Sequence, residues 1–393
     1  MKHLLLVLGL FLGSLFANAQ VNFFEGSLQE AVAKAKDENK FLFVDCYTDW
    51  CYWCKVADST TFQSEVVANF MNKRCVAIKL DMERGEGRDL GMKYRVFGYP
   101  AFLVFNSEGQ ILSSTFGYIK DDEEFLLALK SATAGEPEYR YKSHINDKVA
   151  LPYFYTASFK NADSDKKVVR PKQEEVNVFL MKQEDLTTEV AWNVMRKFEL
   201  DVQTMKRFVQ EIEMFRKLYG DEEVDSKIVN IASGMLEKSI EKEDESSLTG
   251  VKEFIDTFHS EENREKVKLQ FNLRYAEKTK NWRLYNKIAQ SMIDLDGLKK
   301  NLDQVNSFAW TLYLKCDDQS ILMDAIVWMQ TVVRGEPNYA YLDTYAALLY
   351  KTKQYDAALK AANEALMLGE KQGQEVTETK ELIGKIKTAL AEK

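Results

Sequence analysis

Cysteine, histidine and proline are scarce in this chain of 393 residues, which contains five cysteines, three histidines and five prolines. Because five is an odd number, at least one thiol has no partner within the chain. A chain of this length can bury a hydrophobic core without the disulfides that small secreted domains need. Two closely spaced cysteines here therefore indicate chemistry more than cross-linking.

Positive charge is not in excess, and long apolar runs are missing after the N-terminus. The formal net charge of −8 argues against nucleic acids and anionic membranes as partners. Residues 1–19 combine a basic start, an apolar run from Leu4 to Phe16 and small residues at the end, which predicts a cleaved signal peptide. We therefore expect an exported, periplasmic protein with no membrane span after cleavage.

Residues 20–136 alternate strand and helix patterns. The continuous apolar runs KFLFVDCY and CVAIKLD are typical of strands buried on both faces. The segments YPAFLVF and GQILSSTF predict two strands joined by a turn at residues 106–109. Capping signals at Ser27 and Asp121 precede helical patterns, whereas the polar stretch MERGEGRD predicts a loop. Together these patterns predict an α/β domain, a sheet with helices on both faces.

The rest of the chain divides into a charged segment and a helical region. Residues 137–172 lack periodicity and predict a linker, whereas in residues 173–393 the apolar residues recur at helical spacing. The segment 355–368 aligns with the segment 322–337 at a shift of 33 residues. This period resembles a tetratricopeptide repeat, so we expect an all-α, TPR-like domain; a generic helical bundle is the alternative.

Cys51 and Cys54 stand two residues apart in DWCYWCK, directly after the strand pattern FLFVDCY. In the first turn of a helix, free backbone N–H groups and the helix dipole stabilise a thiolate and lower the pKa of the cysteine. A second cysteine one turn later is close enough to form a disulfide with the first. The spacing therefore predicts a redox pair.

A zinc site is the main chemical alternative for this pair. A structural zinc site needs four ligands, usually from a second pair of cysteines or histidines. The remaining candidates are not paired at ligand spacing; they are Cys46, Cys75, Cys316, His144 and His259. We therefore expect no metal, three buried free thiols, and His259 on the surface.

Several features of the segment from about Phe23 to Ala134 together resemble thioredoxin, and more closely the thioredoxin-like domains of periplasmic thiol:disulfide interchange proteins of the DsbD C-terminal type. Trp50 precedes the first cysteine and Lys55 follows the second. Asp45 lies six residues before the first cysteine, at the position of the family's buried acid. Pro100 lies where the family has its cis-proline. The resemblance implies a thioredoxin fold, with a mixed central sheet.

The resemblance also implies a role for each residue of the site. Cys51 would be the nucleophile, Cys54 would resolve the mixed disulfide, and Asp45 would exchange a proton with Cys54. No cofactor is implied, because the two sulfurs carry the electrons. The implied substrate-binding residues are Trp50, Tyr52, Trp53, Tyr99 and Pro100.

Two departures from the family pattern affect the expected activity. Tyr52 and Trp53 separate the cysteines in place of Gly-Pro, and no histidine stands there, which favours the reducing or isomerising direction. Tyr99 and Ala101 replace a small aliphatic residue and a common threonine of the family. Both line the expected substrate groove, so the resemblance does not specify the substrate. We predict a thiol-disulfide oxidoreductase that acts on protein thiols and disulfides and is recharged by an unidentified redox partner. The alternative is a redox-inactive binding or scaffold protein whose helical repeats recruit a protein or peptide.

Overall fold

The computed structural model describes residues 20–134, 143–165, 167–241, 245–297 and 301–392. The predicted signal peptide, residues 1–19, lies outside these ranges. The chain divides into two compact units, Met1–Lys227 and Ile228–Lys393. None of the described helices has the length and apolar character needed to cross a membrane.

The first unit is built around a mixed sheet. Its strands are β1 (Phe41–Tyr47), β2 (Cys75–Asp81), β3 (Ala101–Phe105) and β4 (Ile111–Phe116). The helices around it are α1 (Leu28–Asp37), α2 (Tyr52–Ser59), α3 (Glu65–Arg74), α4 (Gly85–Lys93) and α5 (Asp122–Ala132), with a short 3-10 helix at Thr61–Gln63. The strand order is β2-β1-β3-β4, with β1 parallel to β2 and antiparallel to β3, and β3 antiparallel to β4. This arrangement is a thioredoxin fold and confirms the predicted class.

The core of this unit explains why β1 is apolar along its length. β1 lies between β2 and β3 in the sheet, and its side chains are buried on both faces, as in sheets that helices cover on both sides. On one face Phe43 stacks on Phe102, with ring centroids 5.7 Å apart, and meets Phe62 and Phe125 edge-on. Each such aromatic pair contributes about 0.5–1.5 kcal/mol beyond its buried area.

Local signals in the sequence are confirmed at most element boundaries, with one exception. Ser27 forms a capping box with Glu30, and the side chain of Asp121 caps α5. The predicted loop MERGEGRD is wrong, because α4 begins at Gly85. Within α4, a Cβ added at Gly87 would lie 2.3 Å from the carbonyl oxygen of Asp81, so this glycine permits close contact between helix and strand.

The first unit also includes chain beyond the sheet. Its further helices are α6 (Tyr153–Thr156), α7 (Gln173–Met181), α8 (Glu189–Lys197), α9 (Val202–Gln210), α10 (Ile212–Tyr219) and the start of α11 (Asp221–Glu241). The buried guanidinium of Arg95 binds both carboxylate oxygens of Glu223, at 2.9 and 2.8 Å, and the side-chain oxygen of Asn193 at 2.5 Å. The compact unit therefore extends past residue 173, where the sequence placed the start of the helical domain.

The second unit, as far as it is described, is helical throughout. After the end of α11 its helices are α12 (Glu245–Phe258), α13 (Arg264–Lys278), α14 (Trp282–Asp296), α15 (Leu302–Lys315), α16 (Gln319–Gly335), α17 (Tyr339–Lys351), α18 (Tyr355–Lys371) and α19 (Thr377–Ala391). Trp328 is buried in the core of this unit, and Trp282 and Trp310 pack against it. His259 is also buried, so the expectation of a surface position is wrong.

Several side-chain contacts in the second unit recur at a separation of 38 residues. Lys315 reaches Glu277, the indole of Trp328 reaches Gln290, and the hydroxyl of Tyr341 reaches Asp303. Each pair is 38 residues apart, not the 33 residues of the sequence alignment. Successive helix pairs are thus joined at equivalent positions, and the TPR-like assignment stays a prediction.

Candidate active site at the N-terminus of helix α2

The cysteine pair lies where a strand passes into a helix. β1 ends at Tyr47, and Cys51 is the N-cap residue of α2. Cys51 and Cys54 form a disulfide with their Cα atoms 5.3 Å apart. The backbone N–H of Cys54 donates a hydrogen bond to Sγ of Cys51 at 3.1 Å. The helix therefore directs a backbone donor at the sulfur that would carry negative charge in the reduced pair.

The two cysteines are largely covered, whereas the aromatic residues around them are not. Cys51 is 4% exposed and Cys54 is 3% exposed. Trp50, Tyr52 and Trp53 are exposed by 61%, 69% and 53%. A partner sulfur therefore has only a small patch of each cysteine to approach, next to large exposed rings.

The cis-proline loop lies beside the loop that carries the cysteines. The peptide bond between Tyr99 and Pro100 is cis. In the sheet register Cys46 of β1 faces Ala101 of β3, which places Pro100 next to the end of β1. The ring of Tyr99 contacts that of Trp50 edge-on, with centroids 5.8 Å apart. The sheet thus brings together residues separated by half of the domain's sequence.

Asp45 is a buried carboxyl on β1 with one unsatisfied oxygen. The residue is 1% exposed, and burial raises its pKa from 3.8 to about 6, against the attraction of Lys79. Its Oδ2 accepts a hydrogen bond from Nζ of Lys79. Its Oδ1 has no hydrogen-bond partner among the described residues. Asp45 can therefore take up and release a proton near neutral pH.

Lys79 holds this carboxyl in place, a role that the sequence analysis did not predict. Its ammonium group contacts Asp45 and also Asp58 of α2, and it lies 4.8 Å from the ring centroid of Phe23. Burial lowers the pKa of Lys79, but the two carboxylates outweigh burial, so the pKa is raised. A single lysine in a strand gives no sequence signal for this role. The register of β2 with β1, which pairs Lys79 with Asp45, determines the contact.

Two more residues contact the exposed tryptophans beside the cysteines, and the sequence analysis did not predict them either. The indole N–H of Trp50 donates to Oε1 of Glu83 at 2.9 Å. The ring of Trp53 stacks on Tyr118 at 5.5 Å and an interplanar angle of 15°. Glu83 follows β2 and Tyr118 follows β4, so each reaches the site through strand order rather than sequence proximity.

The other cysteines lie away from this chemistry. Cys46, Cys75 and Cys316 are buried free thiols, as expected. Burial raises the pKa of Cys75 to about 12, and burial, together with the nearby Asp45, also raises the pKa of Cys46 well above its usual value. These thiols are therefore poor nucleophiles at neutral pH. No group of three or more potential metal ligands occurs in the part of the chain that the structure describes.

Comparison with known proteins gives matches to the N-terminal part of the chain. Residues 15–97 match the family model Thioredox_DsbH, described as "Protein of unknown function, DUF255". The thiol:disulfide interchange protein DsbD of Pseudomonas fluorescens is 30% identical over 83 residues, which cover 21% of this chain and 14% of that protein. The DsbD of Colwellia psychrerythraea is 32% identical over 101 residues, 24% of this chain and 16% of that protein. The chain therefore spans about a seventh of the length of these curated relatives.

A solved structure matches over almost its whole length. The solution structure of a "putative disulphide-isomerase" from Bacteroides thetaiotaomicron is 39% identical to this chain. The match covers 97% of that protein and 30% of this chain, with a TM-score of 0.28.

Proposed function

Because the N-terminal domain of the chain belongs to the thioredoxin-like family of thiol:disulfide oxidoreductases, we propose that Cys51 and Cys54 exchange disulfides with cysteines of other proteins in the periplasm. The hydrogen bond from the backbone N–H of Cys54 to Sγ of Cys51 carries this proposal. It provides the stabilisation that keeps a thiolate at Cys51 once the disulfide is reduced.

The proposed reaction transfers two electrons from the reduced pair to a substrate disulfide. The thiolate of Cys51 attacks one substrate sulfur, the substrate S–S bond breaks, and the other substrate sulfur leaves as a thiolate that takes up a proton. Cys54, once deprotonated, attacks Sγ of Cys51 in the resulting mixed disulfide. The second substrate thiolate leaves, and the Cys51–Cys54 disulfide remains.

Asp45 is the proposed proton acceptor for Cys54. A carboxyl whose pKa is raised to about 6 accepts a proton more readily than an ordinary aspartate, yet it is mostly ionised at neutral pH. Its unsatisfied Oδ1 can receive that proton without breaking the contact with Lys79. The proton then leaves with the substrate thiol or with solvent.

We propose the reducing or isomerising direction for this exchange. The residues between the cysteines, Tyr52 and Trp53, bring no positive charge to the N-terminus of α2. Within α2, the backbone N–H groups and the helix dipole then stabilise the Cys51 thiolate without a charge from these two residues. Less stabilisation of the reduced form means a more reducing pair within the range of known couples, which runs from about −270 to about −120 mV.

The proposed substrate-binding surface is aromatic. It consists of Trp50, Tyr52, Trp53, Tyr99 and Pro100. Rings of this size bury a large area on contact, at little cost in side-chain entropy. The contact between Trp50 and Tyr99 joins the cysteine loop to the cis-proline loop, so one polypeptide segment can touch both.

The second unit has a proposed role in recruiting a protein or peptide. Contacts repeated at a separation of 38 residues are typical of stacked helix pairs, which present extended surfaces to partners. Trapping should also capture the redox partner that recharges the cysteines.

Trapping with C54S tests the assigned roles. Without Cys54 the mixed disulfide at Cys51 cannot be resolved, so substrate adducts should accumulate in periplasmic extracts and disappear on reduction. The control is C51S/C54S, which keeps the three buried thiols and should form no adducts. Equal adduct formation by the control would show that Cys51 is not the nucleophile.

Two activity measurements test the reaction itself. The mature protein should reduce an insulin-type disulfide and should equilibrate with glutathione buffers at a defined potential. A protein that does neither would be the redox-inactive binding protein that the sequence allows as the alternative.

A further inference from the structure

A short stretch of the predicted linker contacts the residues next to the cysteine pair. Nζ of Lys160 lies 2.7 Å from Oε2 of Glu83. The backbone N–H of Ala162 donates to the carbonyl oxygen of Glu83 at 2.8 Å. Both residues lie well beyond residue 97, where the family-model match ends. This chain therefore adds contacts of its own to the thioredoxin-like domain.

Glu83 links this stretch to the redox loop, residues 48–51, which connects β1 to α2 and ends at Cys51. The residue is 7% exposed, and its two carboxylate oxygens have different partners. Oε1 accepts from the indole of Trp50 at 2.9 Å, while Oε2 binds Lys160. Trp50 is the neighbour of Cys51 in the chain and contacts Tyr99 of the cis-proline loop. A change at Lys160 can therefore reach the cysteine pair through one shared carboxylate.

A second contact holds the same stretch at the same loop. Asp163 binds the guanidinium of Arg84 at 3.1 Å and accepts from the backbone N–H of Gly85. Arg84 also reaches Asp49, two residues before Cys51, at 3.4 Å. These ion pairs are about half exposed, so each contributes little by itself. They keep the stretch in place when the side chain of Lys160 is changed.

We propose that Lys160 is a positioning residue of the redox site, which orients Trp50 through Glu83 and neutralises the carboxylate that binds this neighbour of Cys51. A covered carboxylate with no counter-ion disfavours a thiolate nearby, because like charges repel most where water is excluded. Lys160 therefore favours the reactive form of Cys51 without touching the substrate or the sulfurs. Its importance for turnover rests on the proposed function, whereas its effect on the thiol does not.

The first measurement is the pH dependence of Cys51 alkylation in the reduced protein, read by mass spectrometry. Losing this compensating charge should raise the midpoint in K160M by about 0.5 pH unit, since the side chain of Lys160 is 56% exposed and water screens its charge. K160R, which keeps the charge, should restore the midpoint. The matched control is K148M, which removes an exposed lysine of the same region and should leave the midpoint unchanged.

A double variant tests whether Lys160 acts through Glu83. In E83Q the ammonium group of Lys160 loses the carboxylate that holds it near Trp50, so adding K160M should shift the midpoint by much less than K160M does alone. The same shift in the presence and absence of E83Q would overturn the proposal, as would an unchanged midpoint in K160M.

Tryptophan emission gives an independent readout of the position of Trp50. The difference in emission between the oxidised and reduced protein should change in K160M and should be largely lost in W50F. An emission difference in K160M identical to that of the unmodified protein would contradict the positioning role. Neither measurement requires turnover, so a failure of the proposed activity and a failure of this proposal can be told apart.

Discussion

Replacing the buried carboxyl of β1 by its neutral isostere should stabilise the first unit in a pH-dependent way. Asp45 is 1% exposed, and its pKa is raised from 3.8 to about 6, chiefly by burial. Ionising it therefore costs more in the folded than in the unfolded state. A difference of about 2 pKa units corresponds to about 3 kcal/mol, which the folded protein loses once the carboxyl is ionised.

The sign of the effect follows from the direction of the shift. The stabilisation from a raised carboxyl pKa is complete below pH 3.8 and is lost as the pH rises through about 6. D45N has no proton to lose at this position. Relative to the unmodified protein, the free energy of unfolding of D45N should increase by up to about 3 kcal/mol as the pH rises from low values to 7.5. At pH 4.0, less than about 1 kcal/mol of this increase should be present.

Two buried thiols allow the unfolding of the first unit to be measured separately. The sheet thiols, Cys46 on β1 and Cys75 on β2, are free and buried, so they react with an alkylating reagent only when this unit opens. Their labelling in oxidised protein along a urea series gives the free energy of unfolding of this unit. Cys316, in the second unit, provides an internal reference in the same sample.

The control variant for this experiment is D58N. Asp58 contacts the same ammonium group of Lys79, but its side chain is 45% exposed. Its removal should change the stability by about 1 kcal/mol or less. If D45N changed the stability equally at both pH values, the assignment of Asp45 as a buried acid with a raised pKa would be refuted.

Two further substitutions test the packing of each unit. R95M removes the buried partner of Glu223 and should destabilise the first unit by about 3–5 kcal/mol in the labelling of the sheet thiols, whereas R84M, at a half-exposed ion pair, should cost about 1 kcal/mol or less. L312A, at a fully buried position of α15, should cost about 2–5 kcal/mol in the labelling of Cys316. A cost below 1 kcal/mol for R95M or L312A would contradict the packing described for that unit.

Local sequence signals predicted most of the thioredoxin-like domain. Buried strands, the capping residues and the turn at residues 106–109 depend on nearest neighbours in the chain, so they can be recognised without the fold. The prediction of a loop where α4 lies was wrong, because this helix depends on a contact with the preceding strand. Its polar residues suggested a loop, whereas the segment forms a helix in which Gly87 leaves room for the backbone of Asp81.

The helical region was harder to predict because its boundaries depend on distant contacts. In the segment that the sequence suggested as a linker, Lys160 and Asp163 bind Glu83 and Arg84, which in turn contact the redox loop. The first helices after residue 173 belong with the sheet, since Glu223 neutralises the buried Arg95. None of these three charge pairs has a local signature, because the partners in each are separated by more than 70 residues.

The sequence alone determined the reactive atoms, because the spacing of Cys51 and Cys54 after an apolar strand is a local property of the chain. Only the tertiary structure decided what surrounds them. The register of β1 with β2 brings Lys79 to Asp45, and the contacts of Glu83 bring Lys160 to Trp50. The pKa of a group and the orientation of its neighbours depend on burial and on charges a few ångströms away, and folding sets these distances.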